Sequence, residues 1–465
     1  MDDHPAEPRP ASPPRFPLRA ELALHHELHA RPALPARSPC VVSAWAHWGM
    51  TAELAESTMR ALSLSLGAAL PAPGARHHLV QAPDWSLKIE RHGEFVSFQV
   101  NRPLLLAGPV DEMPVDELRT LMLQSSAIDG LPEAFLRLLQ VEGAGQMIAA
   151  SHVVLLGADG GDDILPRCRA LVAAQAGPAS GDDAAPLMGA YVGDARRAAL
   201  LTNLRLGPDG FVRFVLLDFG LPADQVGREA QRLCEIETYR MLAMLGFPVA
   251  QREAEALAQL ERELQATVDA MAQDREHDAQ RAFESLTRLA AEVEHSAVRT
   301  RYRFSATRAY ERLVERRLSD LREQRIDGVQ TLSGFLARRF APAIAYCEST
   351  DRRLTDVADR IGRTAGLARV RVEMHREANN QELLAALAHR QGLQLRLQQT
   401  VEGLSVMAIS YYALGLVGYL AKAAKNLPAL EALHLVPDLV VGAAVLPVVG
   451  AVAWFMHRLH RHVAG

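Results

Sequence analysis

Two uncharged apolar runs near the C-terminus constrain this chain more than any other feature. Residues 403–421, GLSVMAISYYALGLVGYLA, carry no charge and lie between Glu402 and Lys422. Residues 439–456, LVVGAAVLPVVGAVAWFM, are also uncharged and are followed by HRLHRH. A helix rises about 1.5 Å per residue, so roughly 20 residues cross a bilayer core of about 30 Å. Each run has nearly that length. Pro447 falls inside the second run, where membrane helices tolerate it. Tyr419 and Trp454 lie near the run ends, where interfacial aromatics belong. The pair predicts a two-helix transmembrane hairpin over 403–456 with both outer ends on one side.

The N-terminus, MDDHPAEPRPASPPRFP, is acidic and proline-rich and lacks a basic stretch leading into an apolar one. It reads as a disordered tail over residues 1–17, not as a secretory signal. Arg458 and Arg461 make 457–465 a basic tail, while Lys422 and Lys425 charge the loop between the runs. The tail and the missing signal together place both termini in the cytoplasm of a bacterium, with the hairpin in the inner membrane. Four cysteines, Cys40, Cys168, Cys234 and Cys347, stand far apart with no CxxC pair. They suggest a reducing compartment and argue against a zinc knuckle. The net charge of −5 gives no basic excess for nucleic acid. Lysine occurs only at Lys88, Lys422 and Lys425, so arginine carries nearly all the positive charge.

Residues 18–221 read as an α+β or α/β domain. Strands are expected over 40–49, within 86–100 as two short strands or one bent one, and over 146–157. GPDG at 207–210 separates two apolar runs, a hairpin signal. Helices are expected over 51–66, 114–124, 131–141 and 164–175. Residues 222–402 have few glycines and almost no strand signal, and they predict a long α-helical coiled-coil stalk. Breaks are expected at 246–248, 299–305 and 327–328. The last stalk helix, from about residue 367, has no breaker before the apolar run, so it should continue into the bilayer.

That helix carries a seam. Gln391, Gln398, Ser405, Tyr412 and Tyr419 are spaced by seven, and Gln394, Ala408 and Gly415 accompany them. Polar residues at such positions specify register, and small or hydroxyl side chains favour helix contact in lipid. The seam either packs on its own hairpin partner or lies on the axis of a homo-oligomer, where it would line a pore.

The motifs ELHARP (27–32), IERHGEF (89–95), EIETYRMLAMLG (235–246), RRFAPA (338–343) and LQLRLQQTVEGLSVMAISYYALGLVGYL (393–420) resemble a bacterial family of unknown function. Its members are described as predicted membrane-anchored proteins. The resemblance runs from Pro17 to about Lys422, implies membrane attachment and says nothing of chemistry. Ile89 departs from it, since the family pattern has tryptophan there. The architecture is also similar to that of CorA-type divalent-cation channels, pentamers whose first membrane helix lines the pore and ends in Gly-Met-Asn. Here the matching place reads Gly418, Tyr419, Leu420, without the asparagine. Glu431 and Asp438 offer a weak attraction for a divalent cation that the two lysines oppose.

In LHHELHARP, Glu21, His25 and His29 are four apart and would share a helix face, a possible metal set. The family motif matches Glu27, His29, Arg31 and Pro32 instead, which points to local coincidence. On a strand through IERHGEF, Glu90, His92 and Glu94 would share one face, with Arg91 and Phe95 on the other. Glu27, His29 and Arg31 are expected to join them in a polar network. That network is structural, at a subunit interface, or a ligand or regulatory-ion site. In EIETYR, Glu235/Tyr239 and Ile236/Arg240 read as ordinary helix support. No P-loop, GxGxxG after a strand, HExxH or GxSxG is present. The reading is therefore a non-enzyme without a cofactor, partnered by membrane lipid and by copies of itself.

Overall fold

The computed structural model describes residues 33–106, 108–158, 164–174, 187–273, 279–425 and 436–463. Glu21, His25, Glu27, His29, Arg31 and Glu431 lie outside them. The described chain divides into two compact units, 1–269 with 285–363, and 270–284 with 364–465.

The first unit is built on a nine-stranded sheet. Its strands are β1 (Cys40–Trp48), β2 (His77–Gln81), β3 (Ser86–Arg91), β4 (Phe95–Pro103), β5 (Gln146–Gly157), β6 (Met188–Val192), β7 (Ala198–Leu206), β8 (Val212–Asp218) and β9 (Gln324–Arg325). They lie in the order β2-β3-β4-β1-β5-β8-β7-β6-β9. β5 and β8 run parallel, and the other neighbouring pairs described are antiparallel.

Both faces of the central strands are buried, which explains their nearly unbroken apolar runs. Val41 and Trp45 of β1, Val154 and Leu156 of β5, and Val215 and Leu217 of β8 face one core. Helices α1 (Ala52–Ser65), α2 (Val115–Gln124), α3 (Glu133–Leu138) and α4 (Ile164–Ala174) supply the rest of it. The alternate residues Val42, Val153, Leu155, Phe214 and Leu216 face a second core. That core is completed by α5 (Ala223–Met244), α7 (Ala279–Leu321), α8 (Leu332–Arg339) and the start of α9 (Ala341–Lys425). The result is an α/β/α sandwich. α5, expected to open the stalk, is instead a layer of this sandwich, with Val226, Ala230, Leu233 and Ile236 buried against the sheet.

α6 (Gly246–Ala272) follows α5 directly. A Cβ at Gly246 would lie 2.3 Å from Thr307 Oγ1, so this close approach requires glycine. The break expected at 299–305 is absent, because α7 runs through it. Thr300, Phe304 and Thr307 are buried at helical spacing. Thr300 donates back to Ser296 O at 2.8 Å and Thr307 donates to Ala243 O at 3.1 Å, so both hydroxyls are satisfied there.

In the second unit, α9 and α10 (Pro437–Val463) carry the apolar runs. α9 is one helix of 85 residues and begins earlier than residue 367. Two helical segments, Leu332–Ala424 and Pro437–Arg458, are long and apolar enough to cross a membrane, with windows of mean hydropathy 1.6 and 2.3. Those windows are 6% and 0% buried.

Candidate functional site

β3 and β4 place polar residues on the second face of the sheet. Leu87, Ile89, Val96, Phe98 and Val100 point to the first core. The alternate residues, Lys88 and Glu90 on β3 with Ser97 and Gln99 on β4, fall on the side covered by α5. There they line a cavity of about 220 Å³ together with Gln231, Glu235, Thr238 and Tyr239 of α5 and Arg317 of α7. Towards β8 and β7 the same sheet face is mostly apolar, with Val153, Leu155, Leu200, Phe214 and Leu216 in the second core.

A chain of polar contacts runs along the cavity wall. Lys88 Nζ lies 3.4 Å from Glu90 Oε2 and donates to Gln231 Oε1 at 3.1 Å. Gln231 Nε2 donates to Glu235 Oε1 at 2.7 Å, and Arg317 Nε donates to Glu235 Oε2. Lys88, the lysine remote from the apolar runs, is 5% exposed. Glu90 Oε1 is buried and accepts no hydrogen bond among the described residues. His92 Nε2 lies 3.2 Å from Ser97 Oγ, and its ring stacks on Phe95 at 4.1 Å. Cys234 also lines the cavity, but burial pushes its thiol up to about 12, which removes it as a nucleophile at neutral pH.

The expectation of one strand face holding Glu90, His92 and Glu94 fails. β3 ends at Arg91 and β4 starts at Phe95, so 92–94 form a turn that breaks the alternation. Glu90 and His92 reach the inner cavity, whereas Glu94 borders an outer cleft with Arg91, Trp48 and Tyr302. Glu94 Oε2 accepts from Arg303 Nη2, from Trp48 Nε1 at 3.3 Å and from Tyr302 OH at 3.3 Å. Burial, and next the Glu94 carboxylate, push the Tyr310 hydroxyl well above the usual phenol range. Arg91 Nη2 donates to Gly74 O at 3.5 Å. Glu235 and Tyr239 are likewise more than helix support, since both line the cavity.

Sequence reasoning missed the partners on α7. Arg303, Tyr310 and Arg317 are spaced by seven and so share a helix face. Arg303 holds Glu94, Tyr310 stacks on Tyr239 at 5.9 Å, and Arg317 holds Glu235. That spacing was the available signal.

A second polar cluster imitates a catalytic array. Ser43 Oγ lies 2.7 Å from His152 Nδ1, and His152 Nε2 lies 3.3 Å from Asp209 Oδ2. Ser43 Oγ also accepts from Ala127 N at 2.9 Å, so its own proton goes to Nδ1 and His152 donates through Nε2. Burial, with the Arg213 charge, lowers His152 to about 4. Ser43 is fully buried, so no substrate reaches its hydroxyl. The array ties β1 to β5 and to the β7–β8 turn.

A family model described as protein of unknown function (DUF3422) matches residues 14–463. The chain belongs to this family. No curated protein and no solved structure matches the DUF3422 chain.

On α9 of this DUF3422 protein, Gln391, Gln394, Gln398, Ala408 and Gly415 are exposed and Ser405 is half-buried. Tyr412 and Tyr419 are 73% and 76% exposed. Ser410 is buried, and a Cβ on Gly418 would meet Val441 of α10 at 3.3 Å. At about 3.6 residues per turn, Ser410 and Gly418 centre about 140° from the Ser405–Tyr419 part of the seam. Asp438 sits in the first turn of α10. Among the described residues, no group of three or more His, Cys, Asp or Glu could hold a metal ion.

Proposed function

We propose that this protein is held in the bacterial inner membrane by the ends of α9 and α10, with both termini cytoplasmic, and that copies of it associate through the α9 seam. The observation that carries this reading is the division of α9 into two sides. One side takes Val441 against Gly418, while the seam residues Tyr412 and Tyr419 stay uncovered in the single chain. Uncovered tyrosine, small and glutamine side chains at heptad spacing suit contact with another copy better than lipid alone. The order of parts supports a CorA-like architecture: an α/β/α domain, paired long helices, one helix ending in an apolar run, and a second apolar helix. On this reading the uncharged polar seam lies on the axis and passes a cation.

Native mass spectrometry of the nanodisc-embedded protein tests the assembly, with a ring of five expected. Ion flux into liposomes then tests conduction. Ser405→Leu and Tyr412→Ala should change flux while leaving the assembled mass intact; unchanged flux in both removes conduction. A monomer or dimer removes the axial pore. It would leave the second reading, a non-conducting anchored regulator, which is favoured by the charged cavity between the sheet and α5.

A further inference from the structure

The cavity between β3–β4 and α5 has features that packing alone does not require. It places two cations, Lys88 and Arg317, and two carboxylates, Glu90 and Glu235, between the sheet and α5, beside an extensive apolar core. Burying such groups costs stability unless every one is satisfied, and Glu90 Oε1 is buried with no donor among the described residues. We infer that the cavity is a binding site for a small zwitterion of amino-acid size, its ammonium donating to Glu90 Oε1 and its carboxylate facing Arg317.

Size, charge and wall chemistry each narrow the class. A volume of about 220 Å³ holds about seven waters at ~30 Å³ each, the bulk of a compact amino acid. Two positive and two negative side chains balance, so neither a bare cation nor a bare anion gains a counter-charge. Phe95 and Tyr239 line the same space, and aromatic faces attract an ammonium. Arg317 has five N–H donors; Nε serves Glu235 and Nη1 lies 3.5 Å from Asp320, which leaves donor capacity for a ligand carboxylate. The site stands independently of the membrane reading, because all its residues belong to the first unit.

The test uses full-length protein in nanodiscs. Thermal unfolding is followed with each of the twenty common amino acids, with ethylamine as an ammonium-only probe and with propionate as a carboxylate-only probe. The expected result is a saturable rise in Tm with one or a few amino acids and none with ethylamine or propionate. Titration calorimetry should then show Glu90→Gln weakening that amino acid about ten- to a hundredfold, the worth of a charged hydrogen bond. Thr238→Leu, which narrows the cavity from α5, should also abolish the shift and covers the case in which Glu90→Gln does not fold. A response to ethylamine or propionate as large as to any amino acid overturns the zwitterion assignment. No response to any probe up to millimolar concentration overturns the site. Binding that survives both substitutions places it elsewhere and overturns the site too.

Discussion

Two ion pairs of the same chemical kind occupy opposite surroundings in this molecule. Glu94 and Arg303 in the α/β/α unit have side chains 9% and 11% exposed. Arg369 and Glu373 on the distal part of α9 have side chains 71% and 60% exposed, with Nε and Oε1 3.0 Å apart. The contrast extends to apolar residues. Val41, Phe98 and Leu155 are buried in the sandwich, whereas Leu404, Met407 and Leu446 are 68%, 70% and 83% exposed. One region answers to water by hiding its apolar surface and pairing its charges inside. The other leaves apolar surface outside, which suits a surrounding that is not water.

The largest effect is expected where the buried pair is broken. Glu94→Gln leaves the Arg303 guanidinium without its charge partner and weakens the acceptor for Trp48 and Tyr302. Removing one partner of a buried pair costs about 3–5 kcal/mol. Denaturant unfolding of the α/β/α unit should therefore show a lower midpoint and an unfolding free energy reduced by that amount. A cost below about 1 kcal/mol would mean that water reaches Arg303, and the contrast with α9 would collapse.

A charge placed on α10 tests the other side of the comparison. Leu446→Arg alters an exposed residue, and on a water-facing surface it should change stability by no more than about 0.5 kcal/mol. In a bilayer centre the same arginine costs about 2.5–3.5 kcal/mol of insertion free energy. The expected outcome is a clear fall in the carbonate-resistant membrane fraction. An unchanged fraction would show that α10 does not enter lipid at this residue.

The pH dependence of the sandwich should follow His152. Its value in the fold, about 4, lies below the ordinary 6.5, so the fold favours the neutral ring. The unfolded chain then binds the proton more readily between these values, so stability rises with pH there and falls as pH is lowered. The contribution is complete above pH 6.5 and is lost as pH drops towards 4, about 3 kcal/mol in all. His152→Gln should flatten that part of the stability curve. An unaltered curve would assign the acid sensitivity to other groups.

The sequence carried the strands wherever both faces were apolar. CVVSAWAHW and QMIAASHVVLLG were legible because short apolar runs with β-branched residues and flanking glycine or proline favour a strand over a buried helix. It concealed β2 and β6: HHLVQ is short and half-polar at the sheet edge, and MGAYV is only five residues long. The false break at 299–305 falls where threonine, tyrosine, phenylalanine and serine lower the helix preference. Burial of Thr300 and Phe304 in the packed helix outweighs that preference. Within the candidate site, Glu90 and His92 stood out through IERHGEF, but their companions did not. Lys88 is one charge among many until its burial is known, and Arg317 lies more than two hundred residues along the chain from β3. Such pairings are set by topology, which no local pattern encodes. The seam was legible in full as a spacing, since heptads are a property of one helix, but its uncovered state is a property of how α10 packs.

The smallest expected effect belongs to the exposed pair. Arg369→Ala removes an i,i+4 contact in solvent, worth about 0.3–0.5 kcal/mol, and high salt should remove most of that. The measurement compares unfolding midpoints of wild type and variant in nanodiscs at low and high sodium chloride. The value of so small a prediction is its sensitivity to neighbours. If copies of the chain pack along α9 as far as residue 369, the pair is no longer exposed in the assembly. Its loss would then cost several times more and resist salt, as at Glu94 and Arg303. A small, salt-screened cost restricts contact between copies to the part of α9 nearer the seam. A large, salt-resistant one extends the interface along the helix and makes the two ion pairs alike.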